Sequence, residues 1–117
     1  MNVEEFREYC ILKKGVTEEF PFDEHTLVFK VMGKMFALVA LERLPSQANL
    51  KCDPERAIAL REMHDGNIIP GYHMSKVHWN TLYLEILSPD LIKELIDHSY
   101  DLVVLKLPKR VQKELGN

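Results

Sequence analysis

The sequence has few cysteines, and they form no paired motif. Cys10 and Cys52 are the two cysteines among 117 residues, and they make no Cys-x-x-Cys sequence. Two thiols in a chain that also has five methionines indicate a reducing compartment, in which both cysteines serve as small core residues. A disulfide between them is the less favoured alternative.

Long apolar runs are also missing. The longest, residues 35–41, has the length of a strand and is far shorter than the roughly 20 residues that a membrane helix needs. The first eight residues include three glutamates and one arginine, unlike the apolar region of a signal peptide. We therefore expect a soluble, cytoplasmic protein with no membrane partner.

The motifs of common enzyme classes do not occur. The sequence contains no P-loop, no Gly-x-Gly-x-x-Gly, no Gly-x-Ser-x-Gly and no His-Glu-x-x-His, which are the spacings that hold phosphates, nucleophiles and catalytic metals. The run His98-Ser99-Tyr100-Asp101 contains triad residue types, but consecutive helical positions point in different directions around the axis. We therefore expect that the protein is not an enzyme.

Three histidines invite a metal-site interpretation, but no ligand set is complete. His64, His73 and His78 lie close together in the sequence, with no cysteine or paired carboxylate at a spacing that would complete a tetrahedral site. His73 and His78 could face each other across a tight hairpin. Hydrogen-bonded histidines near a binding surface are the favoured interpretation, and we expect no metal and no other cofactor.

The charge of the chain is unevenly distributed. The net charge of -3 argues against a large, undirected attraction to nucleic acid. Residues 1–25 carry seven acidic and three basic side chains, whereas residues 106–117 carry four basic and one acidic. With 46% hydrophobic and 28% charged residues, the composition is that of one globular domain spanning residues 1–117.

Capping residues and glycines predict the helix boundaries. Asn2 and Glu5 form a capping pair at the start of the first helix, which ends at Gly15. Two further helices open on an N-cap residue followed by proline, which suits the first helical position. These starts are Asp53-Pro54 for the second helix, which ends at Asp65-Gly66, and Ser88-Pro89 for the third helix. Pro108 then begins a short basic tail helix.

Apolar runs of strand length predict five strands. They lie at 27–32, 35–42, 48–52, about 68–74 and 78–86. Gly33-Lys34 is expected to join the first two strands in a type II′ turn, and Ser75-Lys76 to join the last two. The order is α-β3-α-β2-α, and because hairpins dominate, we predict a two-layer α+β fold with an antiparallel sheet and helices on one face.

The segment 16–24 is predicted to be a polar connector between the first helix and the first strand. Its charged residues leave no alternating apolar pattern. Phe20 and Phe22 are the two large apolar side chains of this segment, and we expect them to pin it in place.

Alternation along the strands assigns their residues to two sides. Phe29, Leu50, Leu82, Leu84 and Ile86 lie on the fully apolar side, and the first four are expected to be buried against the helices. The other side displays Lys30, Asn49, Lys51, Trp79 and Tyr83. Lysines around exposed aromatic rings suit a base-stacking or partner-binding platform. A homodimer interface and an inert cover over the sheet are the alternatives.

The two predicted hairpin turns each carry a lysine. Lys34 and Lys76 would stand at the tips, where each could reach a phosphate. An exposed lysine at a hairpin tip is also common surface chemistry that keeps a protein soluble, and this interpretation is the more frequent one.

Several segments resemble the YjbR/MmcQ family. They are Gly15–Asp23, Val28–Leu38, Leu50–Pro54, Pro70–Thr81, and Ser99-Tyr100 followed by Leu102-Val103. The resemblance spans nearly the whole chain and implies a fold similar to that of type III secretion chaperones. Members of this family are described as DNA-binding proteins with a double-wing arrangement.

The resemblance therefore implies a DNA-binding module that uses its hairpin wings and the lysine-rich side of the sheet. Net acidity favours the alternative, a protein-interaction or chaperone-like module that uses the same face, with a protein partner or a second copy of the chain. The candidate residues for either ligand are Lys30, Lys34, Lys51, His73, Lys76, His78, Trp79 and Tyr83.

Overall fold

The computed structural model describes residues 1–71 and 74–116. Within these residues the chain forms four helices and six strands. The helices are α1 (Val3–Ile11), α2 (Pro54–Met63), α3 (Pro89–Leu105) and α4 (Lys109–Glu114). The strands are β1 (Val16–Glu19), β2 (Thr26–Val31), β3 (Lys34–Ala40), β4 (Gln47–Lys51), β5 (Ile68–Pro70) and β6 (Trp79–Tyr83).

The strands form one antiparallel sheet in the order β1-β2-β3-β4-β6-β5. Helix α3 lies against β2, β3 and β4, α1 contacts β1, and α2 contacts β5. Buried residues of these three helices share one apolar cluster with one side of the sheet. The predicted α+β class, with helices packed on an antiparallel sheet, is confirmed.

The predicted helix starts are confirmed by their capping hydrogen bonds. The Asn2 side chain accepts a hydrogen bond from the N–H of Glu5, whose carboxylate accepts one from the N–H of Asn2. Asp53 caps α2 through the N–H of Arg56, and Ser88 caps α3 through the N–H of Leu91. Each contact satisfies a backbone donor that the first helical turn leaves without a partner.

Strand β1 corrects the prediction that residues 16–24 form only a connector. Val16–Glu19 pairs with β2 at the edge of the sheet, and three of its four side chains are exposed. An edge strand with no buried face needs no apolar alternation, so the pattern that marks other strands is missing. Phe20 and Phe22 are 49% and 65% exposed, so neither pins the segment to the core.

Two further local predictions are wrong in detail. The turn between β2 and β3 is centred on Met32 and Gly33, whose φ angles of 49° and 86° indicate type I′ and not type II′. Strand β6 ends at Tyr83, whose carbonyl accepts hydrogen bonds from the N–H groups of Ile86 and Leu87. This turn breaks the alternation, so Ile86 is 62% exposed while Leu84 is fully buried.

The predicted core residues are confirmed. Phe29, Leu50, Leu82 and Leu84 are each at most 2% exposed and lie in the cluster beneath the helices. Both cysteines are free and buried, as expected. Burial raises the pKa of both thiols, which makes them poor nucleophiles.

A contact of the half-buried His98 links α3 to the start of α2. The Nε2 atom of His98 accepts a hydrogen bond from the backbone N–H of Asp53 at 3.2 Å, which requires that nitrogen to be unprotonated. Burial lowers the pKa of His98, and the positive charge of Arg56 lowers it further. The unfolded chain therefore takes up a proton at this residue more readily than the folded chain.

We expect the melting temperature to fall as the pH drops below the ordinary histidine pKa of 6.5, because protonation favours the unfolded state. His98→Gln, which keeps a neutral acceptor, should reduce this dependence between about pH 7.5 and about pH 5.5. His78→Gln, at an exposed histidine, is the matched control and should melt with the wild-type pH dependence. Parallel curves for wild type and His98→Gln would contradict the assignment.

None of the helices in residues 1–71 and 74–116 is long and apolar enough to cross a membrane.

Candidate functional site

The sheet side opposite the helices, here called the outer face, has its own small apolar cluster. Val28, Leu38 and Trp79 are buried there, with Met35 and Met74 packed against them. The pairs Val28–Leu38 and Leu38–Asn49 lie directly across neighbouring strands, so β2, β3 and β4 jointly supply this surface. Apolar side chains therefore cover part of the outer face, which is not a flat surface fully exposed to solvent.

Trp79 does not form an exposed aromatic platform. It is 7% exposed and belongs to the same apolar cluster as Val28 and Leu38, which corrects the expectation of a solvent-facing ring. A tryptophan on this side finds apolar neighbours on β2 and β3, and burying so large a ring is strongly favourable. Alternation predicts the side on which Trp79 lies but not what covers it. For Trp79 itself, this burial fits the interpretation of a cover over the sheet.

Lys30 and Tyr83 also differ from the expectation of a free binding face. The ammonium group of Lys30 forms an ion pair with the carboxylate of Glu19 on β1, so the charge is neutralised within the sheet. Tyr83 is half-buried and lies opposite Gln47. The missed strand β1 is the reason that Lys30 is paired.

Three lysines from distant parts of the sequence surround one groove, here called the lysine groove. Lys34 begins β3, Lys51 ends β4, and Lys106 follows the end of α3. The groove has a volume of about 430 Å³, and Met35 and Trp79 form part of its apolar lining. It lies where the outer face of the sheet meets the C-terminal end of α3.

No carboxylate neutralises the lysine groove within the described part of the chain. The ion pairs of that part involve other basic residues. Burial lowers the pKa of Lys51, and the positive charge of Lys106 lowers it further. The two ammonium groups therefore repel each other, and an anion bound between them would relieve that repulsion.

Ser99 fixes the geometry of one wall of the groove. It is fully buried, its Oγ accepts a hydrogen bond from the N–H of Lys51 at 2.9 Å, and it donates to the carbonyl of Phe36 at 2.5 Å. Phe36 is the extra residue where the β2–β3 register shifts, a bulge that turns the strand locally. Helix α3 thus holds Lys51 and the beginning of β3 together.

The second predicted wing is held by an arginine of α2. Arg61 donates to the carbonyl of Lys76 and, at 2.7 Å, to the Oδ1 atom of buried Asn80. The side chains of Lys76 and His78 are exposed, which fits a wing tip that is free to contact a ligand. His73 lies outside the described residues.

Beside the lysine groove, the outer face also contains a cavity of about 440 Å³. Leu38, Phe22 and Met74 provide apolar lining, while Gln47 and Asn49 of β4 contribute side-chain amides. Sequence reasoning did not single out Gln47 as a site residue or Lys106 as part of a groove. The basic composition of residues 106–117 was a signal for Lys106, whereas nothing local marks Gln47.

Groups of three or more histidine, cysteine or carboxylate side chains that could hold a metal do not occur in residues 1–71 and 74–116.

Comparisons with known proteins agree over most of the chain. The model of the YjbR family matches residues 12–102. YjbR of Escherichia coli K12 is 36% identical over 117 residues, covering 98% of both chains. YbdF of Escherichia coli O157:H7 is 40% identical over 97 residues, covering 82% of this chain and 79% of YbdF.

Solved structures show the same fold. The crystal structure of Deinococcus radiodurans protein DR2400, with a domain named DUF419, has a TM-score of 0.92 and 42% sequence identity, covering 98% of this chain and 88% of that one. A crystal structure of a Pseudomonas syringae protein has a TM-score of 0.75 and 29% identity, covering 87% of this chain and 98% of that one.

Proposed function

The chain belongs to the YjbR family, and we propose that it is a small DNA-binding module that holds backbone phosphates in the lysine groove. The observation that carries this proposal is the meeting of Lys34, Lys51 and Lys106 around one groove without a neutralising carboxylate among the described residues. Clustered ammonium groups of this kind attract phosphates, because binding releases counterions from the nucleic acid.

The basic surface extends beyond the groove. Lys109, Arg110 and Lys113 lie on α4, immediately after the groove residues Lys106 and Pro108. We propose that these side chains, together with the exposed Lys76 on the second hairpin, guide the phosphate backbone toward the groove.

The double variant Lys34→Glu/Lys106→Glu is expected to weaken DNA binding for all sequences and to lower the slope of log affinity against log salt by about two, because about one phosphate contact is lost at each position. Fluorescence anisotropy with a labelled oligonucleotide over a salt series measures both quantities. Lys76→Glu tests the second wing in the same assay and should lower the slope by about one.

The matched control is Lys93→Glu, which reverses the charge of an exposed lysine on α3. Its ammonium group lies near the ring of Tyr9 on α1, in the helical layer and away from the groove. We expect its salt slope to equal that of the wild type. Wild-type protein that binds no DNA at low salt, where phosphate contacts are strongest, would refute the proposal.

A protein-interaction module is the second candidate. Phe20, Phe22 and Leu44 are 49%, 65% and 83% exposed, and exposed apolar side chains are typical of surfaces that bind a protein partner or a second copy. Binding of this kind should depend little on salt, because exposed charges contribute little to it. Sedimentation of the purified protein, with Phe22→Ala as the variant, measures self-association directly.

We further propose that the protein acts by binding, without catalysing a reaction, and that it works in the cytoplasm. The two free, buried thiols support a reducing compartment.

A further inference from the structure

We propose that the cavity on the outer face takes one unpaired base of a DNA strand whose phosphate lies in the lysine groove. This inference rests on the proposed function and extends it, because it names single-stranded or locally opened DNA as the ligand. A base held in this way contributes affinity through contacts that the phosphate backbone alone cannot provide.

The cavity has the mixed chemistry that a nucleobase requires. Leu38, Phe22 and Met74 supply apolar surface for the faces of the ring, and Phe22 is 65% exposed, so its ring can adjust to a ligand. Gln47 and Asn49 place two amides on the same wall. Base edges present both donors and acceptors, and amide side chains provide both.

Gln47 is one of the polar side chains through which the cavity can recognise a ligand. Its side chain lines the cavity and is only 8% exposed. The hydrogen bonds of the described residues do not involve its amide, yet no buried side-chain nitrogen or oxygen among these residues lacks a partner. The Gln47 amide is therefore in contact with the solvent of the cavity. A ligand edge with one donor and one acceptor could replace that solvent at the amide.

Asn49 is already oriented by its neighbour on β6. Its Oδ1 atom accepts a hydrogen bond from the hydroxyl of Thr81, which lies directly across the two strands. The amide nitrogen is therefore left as the donor that can turn toward a ligand. Gln47 and Asn49 together offer two donors and one acceptor to a base edge.

The spacing along β4 connects the cavity to the lysine groove. Gln47, Asn49 and Lys51 lie at alternate positions of one strand, so their side chains share the outer face. Asn49 lines the cavity and Lys51 lines the groove, about 7 Å apart along the strand. One nucleotide can bridge this distance, with its phosphate at Lys51 and its base at Asn49 and Gln47.

The charges of the two sites favour this orientation of the nucleotide. The cavity is lined by one acidic and one basic side chain, Asp23 and Arg43, whereas three lysines surround the groove. Hydrogen bonds from the N–H groups of His25 and Thr26 lower the pKa of the Asp23 carboxyl, which keeps it ionised. A carboxylate repels a phosphate but can accept a hydrogen bond from an N–H group of a base. Because the described residues that line the groove include three lysines and no carboxylate, the groove is the more favourable place for the phosphate, which leaves the cavity for the base.

The test compares two single strands with the same number of phosphates, an oligothymidylate and its abasic analogue. We expect wild-type protein to bind the strand with bases roughly five- to hundredfold more tightly, as stacking and edge contacts of one base would provide. Fluorescence anisotropy at one fixed salt concentration measures the ratio. A duplex of the same length should bind more weakly than the oligothymidylate.

Two variants locate the base. Gln47→Leu removes the amide at similar volume, and Phe22→Ala removes an exposed ring with little risk to folding. Each variant should reduce the ratio of the two affinities, oligothymidylate over abasic strand, by roughly threefold or more, because it removes part of the contact with one base. The affinity for the abasic strand should stay unchanged. Phe20→Ala is the matched control, since Phe20 is exposed and lies outside the cavity lining, and its ratio should equal that of the wild type.

If the wild type binds the two strands with equal affinity and its binding still depends steeply on salt, the base site is overturned. The proposal that the lysine groove binds phosphates is then unaffected. Variants that change abasic binding as much as they change oligothymidylate binding would also overturn it, because the effect would then not involve the base. Binding of neither strand at low salt would overturn the proposed function, and this inference with it.

Discussion

Trp79→Ala is expected to lower the free energy of unfolding by about 3–5 kcal/mol. The indole is 7% exposed and belongs to the same apolar cluster as Val28 and Leu38, so removing it leaves a large cavity in the outer-face cluster. Urea denaturation followed by circular dichroism measures the loss, and Trp79→Phe should lose less because part of the ring volume remains. A loss below about 1 kcal/mol would contradict the packed position of the ring.

This expectation changes how a binding experiment on Trp79 is interpreted. A small domain has a total stability of only about 5–15 kcal/mol, so the alanine variant could be partly unfolded under assay conditions. Lower affinity for DNA or for a protein would then report lost structure and not a lost contact. Lys34 and Phe22, whose side chains are exposed, are the better positions at which to test binding.

Leu84→Ala is expected to cost about 2–5 kcal/mol of stability. Leu84 is fully buried in the cluster beneath the helices. Its N–H donates to the carbonyl of Ser46 at 3.0 Å, and its carbonyl accepts from the amino group of Met1 at 3.1 Å, so the backbone around the cavity is held in place. Little relaxation is therefore available to fill the space that the side chain leaves.

Ile86→Ala is the matched control for Leu84→Ala. Both residues lie on the same side of the strand that alternation predicts, but Ile86 is 62% exposed in the turn after β6. We expect the control to change the free energy of unfolding by less than about 0.5 kcal/mol. Equal losses for the two variants would mean that the strand continues through residue 86, and a negligible loss for Leu84 would mean that the register is wrong.

The interactions that the sequence alone determines are local. The capping pairs Asn2–Glu5, Asp53–Arg56 and Ser88–Leu91 each join residues three positions apart, so the chain carries the complete information for them. Alternation likewise assigned Leu82 and Trp79 to opposite sides of one strand, because successive side chains of a strand point in opposite directions.

Only the tertiary structure decided which of these side chains are free. Strand β1 is recognised only by its backbone pairing with β2, and this pairing brings the carboxylate of Glu19 to the ammonium group of Lys30. Trp79 of β6 is buried because it joins an apolar cluster with Leu38 of β3 and Val28 of β2, which lie beyond the neighbouring strand β4.

The lysine groove depends on the same long-range packing. Lys106 joins Lys34 and Lys51 because α3 crosses β2, β3 and β4 and Ser99 ties that helix to both strands of the groove wall. Contacts between residues far apart in the sequence depend on strand order, register and helix placement together. No local pattern encodes those three properties, and so the sequence predicted the fold and the sides of its strands, whereas the site required the packed molecule.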